Sequence, residues 1–260
     1  MVSKLEKAIL KVQDDHSQIV TEAEQIYLAN ESELQEMFEP FLLSERQLDK
    51  MRLIYGDMKD QSQLKPYVDA AYQIRQQAKV RFSQSILVTS LGSHSGTSHV
   101  ARNLAIALRM DKAHSSLLVD MNMDRPSLQH FFDLHGKLGL AEFLADESII
   151  ASDLITPVGI KRLRCITAGN SRAVDTAHFQ HPRIHVLLSH IRGRYRNRDI
   201  VIDAPPITGD AGTKILLELC DKVVIVVPKG KFTGDQLANA TAMIAPDQMA
   251  GVFFNEFPAS

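Results

Sequence analysis

Cysteine is nearly missing from these 260 residues: only Cys165 and Cys220 are present. Two thiols exclude a disulfide framework and a cysteine metal site. Each falls in or beside an apolar stretch, so both are expected to be small buried hydrophobes. There is no excess of charge of either sign. Lys and Arg number 29 against 31 Asp and Glu, for a formal net charge of −2, which makes no general case for binding nucleic acid. No apolar run approaches the roughly 20 residues that a membrane span needs, and the opening Met-Val-Ser-Lys-Leu-Glu has no signal-peptide pattern. The chain is therefore expected in the cytoplasm, with any membrane association made through a partner. What remains is ordinary for a soluble globular protein, 45% apolar and 23% charged. The length suffices for a full α/β core with a helical extension.

The most informative absence is a lysine. Thr89 to Asn103 reads T-S-L-G-S-H-S-G-T-S-H-V-A-R-N. An apolar strand, Ser85-Ile86-Leu87-Val88, runs into a Gly/Ser-rich turn, and a helix is expected to open near Ser98 with Val100, Ala101, Leu104, Ala105 and Leu108 on one face. A strand, a tight turn and a helix N-terminus direct several backbone N–H groups at one spot, which suits a phosphate. A working loop reads G-x-x-x-x-G-K-[ST], its lysine on the β/γ-phosphates and its hydroxyl on magnesium. Gly96 and Ser98 fit the last glycine and the hydroxyl, but Thr97 stands where the lysine should be.

Further strands follow in order. Ser116 to Asp120 ends in an acid and leads into Met121-Asn122-Met123-Asp124-Arg125-Pro126. Asp199 to Asp203 ends in a second acid before Ala204-Pro205-Pro206, with Asp210 beyond. Arg162 to Thr167, Val223 to Val227 and Gly251 to Asn255 complete the set. Apolar strands alternating with helical patterns predict a mostly parallel sheet covered by helices on both faces. Ligands of such sheets sit at the carboxyl ends of the strands, where Ser90–Ser98, Asp120–Arg125 and Asp203–Asp210 are expected to converge.

These segments, in this order, resemble the bacterial tyrosine kinases (BY-kinases), the CpsD/CapB-like autokinases of exopolysaccharide biosynthesis. The resemblance spans nearly the whole chain and implies a P-loop NTPase-like α/β fold. The family's P-G-E-G-K-[ST] falls on Ser93, His94, Ser95, Gly96, Thr97 and Ser98, and its D-x-D-x-R-R-P on Asp120, Asn122, Asp124, Arg125 and Pro126. Asp203 matches the Walker B acid, Asp210 the acid beyond the prolines, and Asn255 an asparagine that contacts the base. The resemblance implies Mg·ATP or Mg·ADP held by Gly96, Thr97, Ser98, Asp120, Asn122, Asp203, Asp210 and Asn255. Ser98, Asp120 and Asp203 would face the metal, and Asp120 and Asp203 would carry any chemistry. The partner implied is the cytoplasmic part of a chain-length-determinant protein of the inner membrane.

Two departures fall on that chemistry: the lysine is Thr97, and the second metal-site acid is Asn122. The family's C-terminal tyrosine cluster also has no match in Asn255-Glu256-Phe257-Pro258-Ala259-Ser260, the tyrosines being Tyr27, Tyr55, Tyr67, Tyr72 and Tyr195. A catalytically impaired regulator or scaffold of polysaccharide export is the expected function. Two other readings stay open. One is an active kinase or ATPase in which Arg102 or a partner's residue replaces the lysine. The other is a partition-type positioning ATPase, which shares the fold.

Residues 1–80 read as a helical extension and 81–260 as the P-loop domain. Ser3 and Glu6 form a capping box before the stripe Leu5, Ala8, Ile9 and Val12. Ser44 and Gln47 cap a second helix carrying Leu48, Met51 and Tyr55, stopped at Gly56. Pro66 opens a third over Tyr67 to Ala78. In it, Asp69-Ala70-Ala71-Tyr72-Gln73-Ile74-Arg75 matches the segment that family members use in ring assembly, which leaves a homo-oligomer open. His94 and His99 are expected to be exposed loop residues. Arg192, Arg194, Arg196 and Arg198 form a basic run at a helix C-terminus.

Overall fold

The structure is a computed structural model that describes residues 32, 34, 36–78, 83–170, 181–194, 197–207 and 211–255. The N-terminal capping box and apolar stripe, Tyr27, Tyr195, Arg196, Asp210 and the five residues beyond Asn255 lie outside these residues.

Seven strands form among the described residues, all but the two-residue β3 containing apolar side chains in a run: β1 (Ser85–Ser90), β2 (Ser115–Asp120), β3 (Thr156–Pro157), β4 (Leu163–Ile166), β5 (Arg198–Asp203), β6 (Lys222–Pro228) and β7 (Met249–Asn255). They make one sheet in the order β3-β4-β2-β5-β1-β6-β7. Every pairing is parallel except that of β3 with β4. Alternate side chains feed two cores. Ile86, Val88, Leu118, Val201, Val224 and Val226 face one; Leu87, Leu117, Val119, Ile200, Ile202, Val223 and Ile225 face the other.

The first core lies under α1 (Glu45–Lys50), α2 (Gln61–Gln76), α3 (Thr97–Leu108) and α4 (Leu128–Phe131). The second lies under α5 (Leu140–Ala145), α6 (Ala151–Leu154), α7 (Pro182–Arg194), α8 (Ala211–Glu218) and α9 (Gly234–Thr241). Helices on both faces of a mostly parallel sheet make this a P-loop NTPase-like α/β fold. Cys165 and Cys220 are buried free thiols, and no described helix is long and apolar enough to cross a membrane.

Several helix limits differ from the sequence expectation. The Ser44–Gln47 capping box forms, but α1 stops at Lys50. Arg52 takes a left-handed conformation (φ 54°), and the chain turns so that Leu53 and Ile54 enter the core. Met51 and Tyr55 therefore lie outside the helix. Pro66 does not start α2; it sits inside, five residues after Gln61. Asp60 is the effective cap, accepting from the Ser62 N–H at 3.0 Å and from Gln63 Nε2 at 2.8 Å. Arg75 is used inside the molecule. It pairs with Asp111, bonds Leu108 O and meets Asp199 at 2.9 Å, fastening α2 to the end of α3 and the start of β5.

The basic run also divides. Arg192 pairs with Asp221 at 3.0 Å, whereas Arg198 is buried in β5 with Nε 3.3 Å from Ser115 Oγ.

Candidate functional site

The turn between β1 and α3 is held by short bonds of its own. Ser90 Oγ and Ser95 Oγ both donate to Gly92 O, at 2.9 and 2.7 Å. Thr89 Oγ1 donates to Pro205 O at 2.6 Å, binding the turn to the segment after β5. From the far side, Asn255 Nδ2 donates to Ser95 O at 3.0 Å. Gly96 is the N-cap of α3 and has φ 81°, a conformation open to glycine at no steric cost. No side chain caps the helix, so its first N–H groups carry the positive end of the helix dipole without a side-chain partner.

Thr97, Ser98, Asn122, Asp124, Arg125 and Arg102 line a cavity of about 430 Å³ over this turn, together with Pro205 and Pro206. Three predicted clusters therefore converge at the carboxyl ends of β1, β2 and β5. A larger groove, about 680 Å³, lies between α2 and β7 and includes the stacked rings of Tyr67 and Phe253. Of the predicted site residues it includes Asn255 but not Gly96, Thr97, Ser98 or Asn122.

The acids that end β2 and β5 sit side by side in register but differ in surroundings. Asp120 accepts three backbone N–H bonds, from Asn122 (3.1 Å), Ser127 (2.9 Å) and Leu128 (3.0 Å). Asp203 is 0% exposed, and neither of its oxygens has a hydrogen-bond partner. The Ser98 and Ser127 hydroxyls lie near enough to act on its charge, but neither makes a hydrogen bond to it. Burial raises the pKa of both acids. At Asp120 the three N–H groups oppose the shift; at Asp203 the negative charge of Asp120 adds to it.

A cation accompanies them. Arg102, one turn beyond Ser98 on α3, is 8% exposed and lies 3.7 Å from the centre of the Phe131 ring. Its Nε has no hydrogen-bond partner. Burial lowers its pKa to about 10, while Asp203 and Asp120 oppose the fall, so it is charged at neutral pH.

The two histidines separate. His94, with φ 60°, is exposed at the loop tip and lies 2.8 Å from Arg125 NH1. His99 is partly buried against Tyr67, correcting its expected exposure. Burial and the Arg102 and Arg52 charges push its pKa down to about 4.

The phosphate half of the site fits a nucleotide: an uncapped helix start, a glycine turn and two hydroxyls. The metal half does not fit in the same way. Asp203 and Ser98 have oxygens to offer, but both oxygens of Asp120 are engaged and a permanent cation lies beside the acids. No group of three or more His, Cys, Asp or Glu side chains that could hold a metal occurs among the described residues. Sequence reasoning found the acids and Arg102. It missed Ser127, Leu128 and Phe131, for which the Asp120-x-Asn122 turn pattern is the only signal.

No family model matches the chain. It is 24% identical over 177 residues to the putative tyrosine-protein kinase CapB of Staphylococcus aureus, covering 67% of this chain and 76% of that protein. It is 27% identical over 166 residues to the tyrosine-protein kinase YwqD of Bacillus subtilis (strain 168), covering 64% of this chain and 68% of that one. The crystal structure of the chimerical protein CapA2B2 superposes with a TM-score of 0.66 at 21% identity, covering 88% and 98% of the two chains. Sequence and fold agree in likening the chain to the bacterial tyrosine kinases: it is BY-kinase-like in both.

Proposed function

We propose that the chain binds a nucleotide but is impaired in phosphoryl transfer. It regulates or scaffolds exopolysaccharide or capsule biosynthesis and export through a chain-length-determinant membrane partner at the inner membrane. One observation carries the reading: the phosphate-facing turn is intact in form, yet Thr97 puts a neutral hydroxyl where the transferred phosphate needs a cation. In this reading Gly96, Thr97 and Ser98 hold phosphates, and Asn122, Asp210 and Asn255 complete the nucleotide site. Asp120 and Asp203 would carry whatever chemistry is retained.

Phosphoryl transfer rests on positioning and charge stabilisation. Removing one such stabiliser costs about 100- to 1000-fold in rate. Backbone N–H donors survive the substitution, so binding outlasts turnover. The polysaccharide role and the partner are supported by the likeness to the BY-kinases.

Purified protein incubated with Mg·ATP is expected to show no phosphotyrosine by mass spectrometry, while ADP binds in a calorimetric titration. Thr97→Lys should bind about tenfold more tightly or better, since a charge-assisted bond adds roughly 1.5–3 kcal/mol. Robust autophosphorylation, abolished in Asp203→Ala, would sink the impaired reading. No ADP binding by wild type or by folded Thr97→Lys would remove the nucleotide and leave a protein scaffold.

A further inference from the structure

We infer that this phosphate site works without a divalent metal, with Arg102 as its resident cation and a metal-free nucleoside diphosphate as its ligand. The inference rests on the nucleotide reading above and concerns which positive charge serves it. Arg102 leaves α3 four residues after Ser98 and lines the same cavity as Thr97, Asn122 and Arg125. The ring of Phe131 lies against its planar face, which holds the guanidinium in place. A guanidinium offers several donors in a fixed fork suited to phosphate oxygens. Here the Nε is already without a partner in the protein. Arg125 adds a second guanidinium at the exposed rim, beside Asp124.

The acids point the same way. A magnesium site needs oxygens free to meet the ion or its waters. Asp120 spends its carboxylate on three backbone N–H groups. Asp203 is wholly buried and is not among the residues lining the cavity. A divalent ion added here would sit in a poorly screened interior beside a fixed positive charge, where repulsion is strong. A ligand carrying its own negative charge meets no such penalty. A diphosphate in the cavity meets Arg102 and the α3 N-terminus together.

The test is calorimetric titration of the full chain with ADP, once in excess EDTA and once in millimolar magnesium. Wild type is expected to bind with affinities that agree within about threefold. Arg102→Ala should lose tenfold or more in EDTA and regain much of it in magnesium, because the ion can then enter the vacated position. Arg102→Lys, which keeps the charge if not the fork, should retain metal-free binding and guards against a folding defect in the alanine variant. Wild-type binding that is tenfold or more weaker in EDTA overturns the inference and leaves the nucleotide reading standing. Metal-free binding that is unchanged in folded Arg102→Ala also overturns it. No binding in either buffer overturns the nucleotide reading itself.

Discussion

Asp203 ends β5 with a carboxylate that nothing in the protein donates to. Burial, then the charge of Asp120, raises its pKa to about 8. In the unfolded chain the same acid ionises in the ordinary carboxylate range. Between those two pH values the folded protein keeps a proton that the unfolded chain has released. Its contribution to stability is therefore full below the ordinary range and is lost as pH rises towards about 8. Asp120, raised less, adds in the same direction over the lower part of that window. Asp203→Asn should flatten the decline and be more stable than wild type at the alkaline end, as read by urea unfolding at about pH 5 and about pH 8. An unchanged slope would mean that another group carries the pH dependence. The acid itself was legible in the sequence, as the last residue of an apolar strand. Its lack of a donor was not, because Asp120 looks equivalent in the sequence and yet collects three N–H bonds, one from Asn122 and two from Ser127 and Leu128.

Elements were legible in proportion to the length of their apolar runs. The long strands announced themselves, because strands buried on both faces read as continuous Val/Ile/Leu segments. The two-residue β3 has no such run. Helix starts were legible where a capping side chain stood alone, as at Ser44, and misread where Pro66 competed with Asp60. The segment of α2 matched to ring assembly shows a related limit: a motif gives residue types, and only tertiary contact shows where each is used. Arg75 spends its guanidinium on Asp111, Leu108 O and Asp199, and Asp199 is only 2% exposed. Arg75→Met should cost about 3 kcal/mol, because it leaves a buried carboxylate short of its main cationic partner. Equilibrium unfolding in urea measures this. A loss below about 0.5 kcal/mol would place α2 outside the cooperative unit.

For the molecule as a whole, a segment before α1 crosses to the opposite side of the sheet order from β7. Glu39 meets Arg164 at 2.9 Å and accepts the Arg162 N–H at 2.8 Å. Phe38 O accepts from Arg164 at 2.7 Å, and Leu43 N donates to Gly159 O at 2.7 Å. Gly159, at φ 75°, has Phe41 and Leu43 packed where a side chain would stand. This strap passes the short antiparallel edge of β3 and β4. Glu39→Ala leaves Arg164 buried without its anion, so a loss of about 3 kcal/mol is expected, with faster proteolytic cutting between residues 38 and 44. A cleavage rate equal to wild type would mean that the strap is held by its apolar residues alone. No local pattern in the sequence links Glu39 to Arg164, 125 positions away, so this closure was invisible before the fold.

The bond from Asn255 to Ser95 joins positions 160 apart, the last residue of the last strand and the tip of the first loop. The loop is thus tied to the far end of the sheet by one side chain, while the Lys229 N–H to Asn255 O bond at 3.1 Å holds the strand end itself. Shortening the Asn255 side chain would take the donor from Ser95 O and leave that strand pairing in place.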